Sequence, residues 1–257
     1  MRTLISRRKL FAGALGSVVG NGASSCWAAQ GFTNSKNNAQ RTALCVGVSD
    51  YLGPNRLLSP VNDAKLVAAA LAKIGFDAWL LVNPTRSTIK AGLLKLRELS
   101  SGSDLVYLYF AGHGGFSNGQ GYFTPLDGTE AHADPRTSLI SETEILSVFS
   151  DQLMQKILVL DCCRDTFAMS DTTVPAFGLA GTYVFYSSQP GGVAYDGVNG
   201  IGPFSISLAE ALLSDEPGIH EVERRVRLNV ILRTGGSQIP WSRSSLIENL
   251  DLHQPSL

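Results

Sequence analysis

Strand and helix signals alternate through most of this chain, and the alternation predicts an α/β fold: a mostly parallel sheet flanked by helices on both faces. Two observations carry that prediction. The apolar runs "TALCVGVS", "DAWLLVN", "DLVYLYFAG", "KILVLDCC" and "TYVFYSS" are largely continuous, as strands buried on both faces read. Between them stand segments with helix start and stop signals. At 257 residues, 44% of them hydrophobic, the chain is long enough for one large core. No run of 18 apolar residues appears, so nothing reads as a stable membrane span.

The first element is not part of that pattern. "MRTLISRRKL" is basic, "LFAGALGSVVG" is short and apolar, and "ASSCWAA" is rich in small residues. This is the order of a secretory signal, and residues 1–29 are read as one. "SRRKLF" resembles the twin-arginine export motif, with Arg7 and Arg8 as its pair, so the mature protein is expected outside the cytoplasm, in the periplasm. Cys26 follows "ASS" without the leucine of a lipoprotein signal. Residues 30–41, polar and Asn-rich, are read as a flexible linker, and residues 42–257 as one domain.

Within the domain, "TALCVGVS" is the first strand. "SPVNDAKLVAAALAKIGF" reads as a helix that Ser59 caps, Pro60 opens and Gly75 closes. "DAWLLVN" and "TIKAGLLKLRELSSG" form the next strand and helix, and "DLVYLYFAG" the third strand. A glycine-rich stretch follows, with a hairpin expected around "GYFTPLDG". "SETEILSVFSDQL" opens with a capping box, Ser141 to Glu144. "KILVLDCC" and "TYVFYSS" are the fourth and fifth strands. "PFSISLAEALL" and "HEVERRVRLNVILRTGG" complete the helices.

Charge excludes one class of partner. The whole chain carries 21 basic and 22 acidic residues. Without the leader's Arg2, Arg7, Arg8 and Lys9 the balance is 17 against 22, a net charge of −5. A nucleic-acid footprint needs a basic face, so none is expected. The remaining cysteines, Cys45, Cys162 and Cys163, do not make a disulfide framework.

Ligands of such folds sit beyond the carboxyl ends of the strands. His113 leaves the third strand at that end, and "DCC" leaves the fourth at the same end. A cysteine attacks as its thiolate, and a nearby imidazole both lowers its pKa and protonates the leaving amine. His113 and Cys163 are therefore candidates for a catalytic pair. Successive side chains of a strand point to opposite faces, so only one of Cys162 and Cys163 can face the site. Cys163, next to Arg164, is assigned to it and Cys162 to the core. The backbone N–H groups of Gly114 and Cys163 are the candidate oxyanion hole.

His113 lies 50 residues before Cys163, the spacing of caspases, and "DCCRD" matches their Q-A-C-[RQG]-G signature at Cys163 and Arg164. With "ALCVGVSDY", "LLSPVNDAKLVAAAL", "YFAGHGG", "YFTPLDG", "GPFSISLAEAL" and "TGGSQIPW", the chain resembles the bacterial caspase-like peptidases of the metacaspase (orthocaspase) kind from about residue 42 onward. The resemblance implies a caspase–haemoglobinase fold and a Cys–His cysteine endopeptidase that proceeds through a thioester acyl-enzyme. It implies a protein or peptide substrate and no organic cofactor. It further implies that Asp161 and Asp63 line the pocket for the residue before the cut bond, where two carboxylates select Arg or Lys. Two family positions differ: Pro60 stands where some members have a pocket cysteine, and Ala111 where they have serine. Asp63 also suits the first turn of its helix as a dipole partner.

Other readings are weaker. "GFSNG" formally fits the G-x-S-x-G elbow of serine hydrolases, but a glycine-rich loop follows where that motif needs a helix. The histidines and cysteines lack the spacing of a preformed zinc site. Calcium activates some metacaspases; Asp165 and Asp171 fall in the relevant region but do not match that cluster residue by residue, so no metal is assigned. A monomer is expected. The rival reading is a non-catalytic caspase-like binding or sensor module.

Overall fold

The computed structural model describes residues 5–6, 30–32, 41–128, 138–164, 180–197 and 199–253. Two short strands, β1 (Ile5–Ser6) and β2 (Gln30–Phe32), precede the alternating pattern. It then runs β3 (Thr42–Gly47), α1 (Pro60–Lys73), β4 (Asp77–Val82), α2 (Arg86–Leu99) and β5 (Leu105–Ala111). A small antiparallel sheet follows, β6 (Gly114–Ser117), β7 (Gln120–Phe123) and β8 (Ile140–Ser141), leading into α3 (Glu142–Ser147). The chain continues through β9 (Gln155–Asp161), β10 (Thr182–Tyr186), β11 (Tyr195–Asp196), α4 (Pro203–Leu212), α5 (Ile219–Thr234) and β12 (Trp241–Ser244).

The main sheet has seven strands in the order β12-β10-β9-β5-β3-β4-β2. Its five inner strands are parallel, and they are the five apolar runs of the sequence. Four of them are buried on both faces, which is why they show no alternation; β4 is only partly so, with Trp79 half-buried and Val82 exposed. Alternate residues feed two separate cores. Cys45, Tyr107, Tyr109, Ile157 and Val159 face α1, α4 and α5, while Leu44, Leu108, Phe110, Leu158 and Leu160 face α2 and α3. The fold class expected from the sequence is the one observed.

Three local readings change. The edge strands β12 and β2 are antiparallel additions that the apolar pattern did not mark. β2 falls in the 30–41 segment, the rest of which, apart from β2, lies outside the described residues up to residue 40, as does all of 1–29 except β1. The hairpin comes earlier than expected: β6 and β7 turn at Asn118–Gly119, both with positive φ (48° and 78°), the geometry a two-residue turn requires. Finally, Ser59 precedes α1 but does not cap it; its Oγ donates to Asp196 Oδ1 at 2.6 Å. The caps at Ser141 (from Glu144 N–H, 3.1 Å) and Thr85 (from Thr88 N–H) do form.

Candidate active site

The site is built on two neighbouring strands. β5 and β9 are parallel and in register through Ala111↔Asp161. His113 and Cys163 each lie two residues beyond that last pair. Both therefore stand just beyond the carboxyl ends of strands about 4.8 Å apart; the His113 ring packs on Tyr51 of the α2/α3 core, and Cys163 packs on Val193 and Ala194.

His113 is buried and held by the loop after β3. Its backbone N–H donates to Tyr51 Oη (3.1 Å), and Tyr51 Oη donates to the Thr124 carbonyl (2.7 Å). The Tyr51 ring lies against the imidazole with centroids 4.6 Å apart. Imidazole Nε2 is 2.7 Å from the carbonyl of Asn55. A carbonyl only accepts, so Nε2 carries a hydrogen and Nδ1 is the nitrogen left to exchange a proton. Neither Tyr51 nor Asn55 was singled out from the sequence. Tyr51 stands in "VSDY", and a backbone carbonyl leaves no signature in residue type.

The glycines around the histidine make room. A Cβ on Gly112 would stand 2.7 Å from Tyr51 Oη. One on Gly114 would stand 2.6 Å from both Cys162 Sγ and the Tyr122 carbonyl oxygen. Gly114, the candidate oxyanion donor, thus also closes the core over Cys162.

The adjacent cysteines part as strand parity requires. Cys162 belongs to the α2/α3 core; Cys163 packs instead with Val193 and Ala194, and its Sγ donates to the Ala194 carbonyl at 3.7 Å. Cys45, Cys162 and Cys163 are all free thiols. Burial pushes the Cys45 thiol up, which keeps it protonated and inert. Beyond Cys163 the chain is pinned by Arg164 N–H to Gly192 O (3.1 Å) and Gly191 N–H to Arg164 O (3.1 Å). The Arg164 guanidinium sits between Phe116 and Tyr186, 4.2 and 3.9 Å from the ring centroids, in a cation–π sandwich.

Both pocket candidates are buried on the Cys163 side. Asp161 accepts from Tyr109 Oη at 2.9 Å. Asp63 accepts at one oxygen from Gly202 N–H and Ser205 Oγ, each 2.6 Å, and so caps α4 from α1. A third buried acid, Asp196, was not picked out. It accepts from Ser59 Oγ and, at 3.4 Å, from Leu58 N–H. Its signal was "VAYDG" beyond the carboxyl end of a buried strand. Buried Gln238 fixes the preceding residue: its Oε1 accepts from Tyr195 N–H (3.2 Å) while its Nε2 donates to Ser187 O (2.8 Å).

"GFSNG" is a hairpin, with Ser117 buried at the end of β6, so the geometry of a serine elbow is absent there. Among the described residues, no three His, Cys, Asp or Glu side chains converge as a metal site. Asp165 and Asp171 lie outside the described residues. No described helix is long and apolar enough to cross a membrane.

Comparison with known proteins agrees with this architecture. No curated protein matches the sequence. Among solved structures, the crystal structure of caspase-1 from Spodoptera frugiperda is similar, with a TM-score of 0.65 at 16% identity over 85% of this chain and 91% of that one. At that identity the likeness speaks for the fold. A sequence model of the family described as the caspase domain matches residues 40–251, from the approach to β3 to the last isolated bridge of the fold. The chain belongs to the caspase-domain family, whose members are cysteine-type peptidases.

Proposed function

We propose that this protein is a cysteine endopeptidase of the metacaspase (orthocaspase) kind, with Cys163 as nucleophile and His113 as the general base and acid. The observation that carries the reading is the Ala111↔Asp161 register, after which His113 and Cys163 each follow two residues later at the same edge of the sheet. In the first step His113 Nδ1 takes the thiol proton and Cys163 Sγ attacks the substrate carbonyl. The N–H groups of Gly114 and Cys163 receive the developing oxyanion. The imidazole then protonates the leaving amine, and a thioester remains. Water, deprotonated by the same nitrogen, releases the acid product and restores the thiol. Asn55 O, fixed on Nε2–H, favours the tautomer that the cycle needs and stabilises the imidazolium that forms.

Cleavage after Arg or Lys is supported by the distribution of buried charge. Asp63, Asp161 and Asp196 are buried on the Cys163 side. The buried cations among the described residues are Arg41 and Lys156, at the other end of the sheet, and Arg164, which stacks toward the α2/α3 face. A basic side chain entering beside Cys163 meets a group of buried acids. Between Arg164 and Arg224 the sequence contains no Lys or Arg, so such an enzyme would work as a single chain, uncut between residues 165 and 223.

A peptide chloromethyl ketone ending in arginine tests the reading directly. Mass spectrometry should find it on Cys163 of the wild type and on nothing in Cys163→Ala. A wild type that stays unlabelled would favour a binding module. Export by the twin-arginine route, with release of the mature protein into the periplasm, is part of the same proposal and rests on the leader's sequence. Replacing Arg7 and Arg8 by Lys should strand the precursor in the cytoplasm, and unchanged export would refute it.

A further inference from the structure

β11 is not part of the main sheet, yet it does not stand alone. Its two residues pair antiparallel with β1, Ile5↔Asp196 and Ser6↔Tyr195, in a separate two-stranded sheet. Its position is notable because Ala194, the residue before it, packs on Cys163 and accepts from its Sγ. In an antiparallel pair, residues alternate between those that exchange backbone hydrogen bonds with the partner and those that do not. Tyr195 N–H is already committed to Gln238 Oε1, on the side away from β1. The bonding positions toward β1 are therefore Asp196 and, by alternation, Ala194. Passing from Ile5 to Ser6 moves from Asp196 toward Ala194, and so toward the thiol. The residue that follows Ser6 in the sequence is Arg7, of the type the acids at this end would accept.

We propose that this edge is a docking strand for an extended peptide and that its occupant in this chain is the chain's own N-terminus, held through Ile5–Ser6. The leader then has a second role besides export. Ile5–Ser6 occupy the strand edge next to Cys163 as an intramolecular competitor, and the precursor stays latent until the leader is removed. A twin-arginine passenger folds before it crosses the membrane, so a folded peptidase and its leader coexist inside the cell, where latency matters. Tethering gives even a weak two-residue pairing an effective concentration in the millimolar range. The consequence for catalysis rests on the proposed role of Cys163; the pairing itself does not.

The two parts are tested separately on the purified full chain. In a Cys163→Ala background, amide hydrogen exchange at Asp196 should be slow, and Ile5→Pro, which removes the donor facing Asp196, should speed it, while Ile5→Val should not. Equal exchange in all three would overturn the docking. With Cys163 intact, hydrolysis of a fluorogenic peptide ending in arginine should show an apparent KM about tenfold lower in Ile5→Pro than in Ile5→Val at equal kcat. A synthetic peptide of residues 1–10, added in trans, should raise that KM again. An unchanged KM would overturn the latency. Absence of hydrolysis in every variant would refute the peptidase reading instead, and the exchange result would still decide the docking.

Discussion

The two faces of the sheet at its carboxyl end differ in what they bury. On the Cys163 side lie three buried acids, Asp63, Asp161 and Asp196, which accept from hydroxyls and backbone N–H groups. Toward α2 and α3 lie Cys162 and a ring of opposite charges: Glu142, paired with Arg243, and Arg164 between two aromatic rings. One face gathers buried carboxylates. The other neutralises its charges internally and stacks what remains. A buried ion pair that is complete is structural; the buried acids are where, on the proposed function, a cationic side chain of the substrate would enter. A single residue step along "DCCR" moves a thiol from the α2/α3 core to the packing of Val193 and Ala194.

The comparison breaks most sharply at the two cysteines. Cys163→Ala should lower peptide hydrolysis by at least about a thousandfold, and His113→Ala should do the same. Cys162→Ala should keep most activity and lower the melting temperature by about 2–5 °C. Activity assays with thermal unfolding check this, and the reverse pattern would exchange the roles of the two faces.

Gly114→Ala joins the faces. The added Cβ meets Cys162 Sγ on one side and the Tyr122 carbonyl on the other, both at 2.6 Å. It should cost about 1–3 kcal/mol of stability, as overpacking does, and should also reduce kcat by displacing the oxyanion N–H. Cys162→Ala in the same chain should recover part of the stability, since the Sγ clash is removed while those with the Tyr122 carbonyl and the residue 162 Cβ (2.9 Å) remain. No recovery in chemical denaturation would show that the two sites do not touch as described.

The smallest effect concerns pH. Burial pushes the Glu142 carboxyl above its ordinary value, against the pull of Arg243. The folded state therefore holds this proton more tightly than the unfolded chain does, and stability falls as pH rises through the window from about 4.5 upward. In Glu142→Gln that contribution vanishes, so the wild type should lose stability relative to the variant as the pH rises from about 4.5. Denaturation midpoints at several pH values measure the slope; a parallel course of the two proteins would show that Arg243 fully compensates the burial.

Much of this molecule was legible in residue order. Five continuous apolar runs with helices between them allow little but a parallel sheet with two covered faces, because a strand that shows no polar side must be buried on both. Strand parity separated Cys162 from Cys163, and strand direction placed His113 and Cys163 at one end of the sheet. The Asn118–Gly119 dipeptide also carried its hairpin, although the reading placed the turn later.

The sequence by itself determined the sheet, its direction and the two residue types with nucleophilic and basic chemistry, since those follow from local periodicity and side-chain identity. Only the tertiary structure decided what surrounds them. The Asn55 carbonyl on His113, Tyr51 beneath the ring, Gln238 holding Tyr195, and Asp63 spanning from α1 to the start of α4 join residues 58, 62, 43 and 139 positions apart. Contacts of that kind are made by backbone groups and common polar side chains, which every segment possesses. Which of them meet depends on how the layers pack, a property of the whole core that no local stretch encodes.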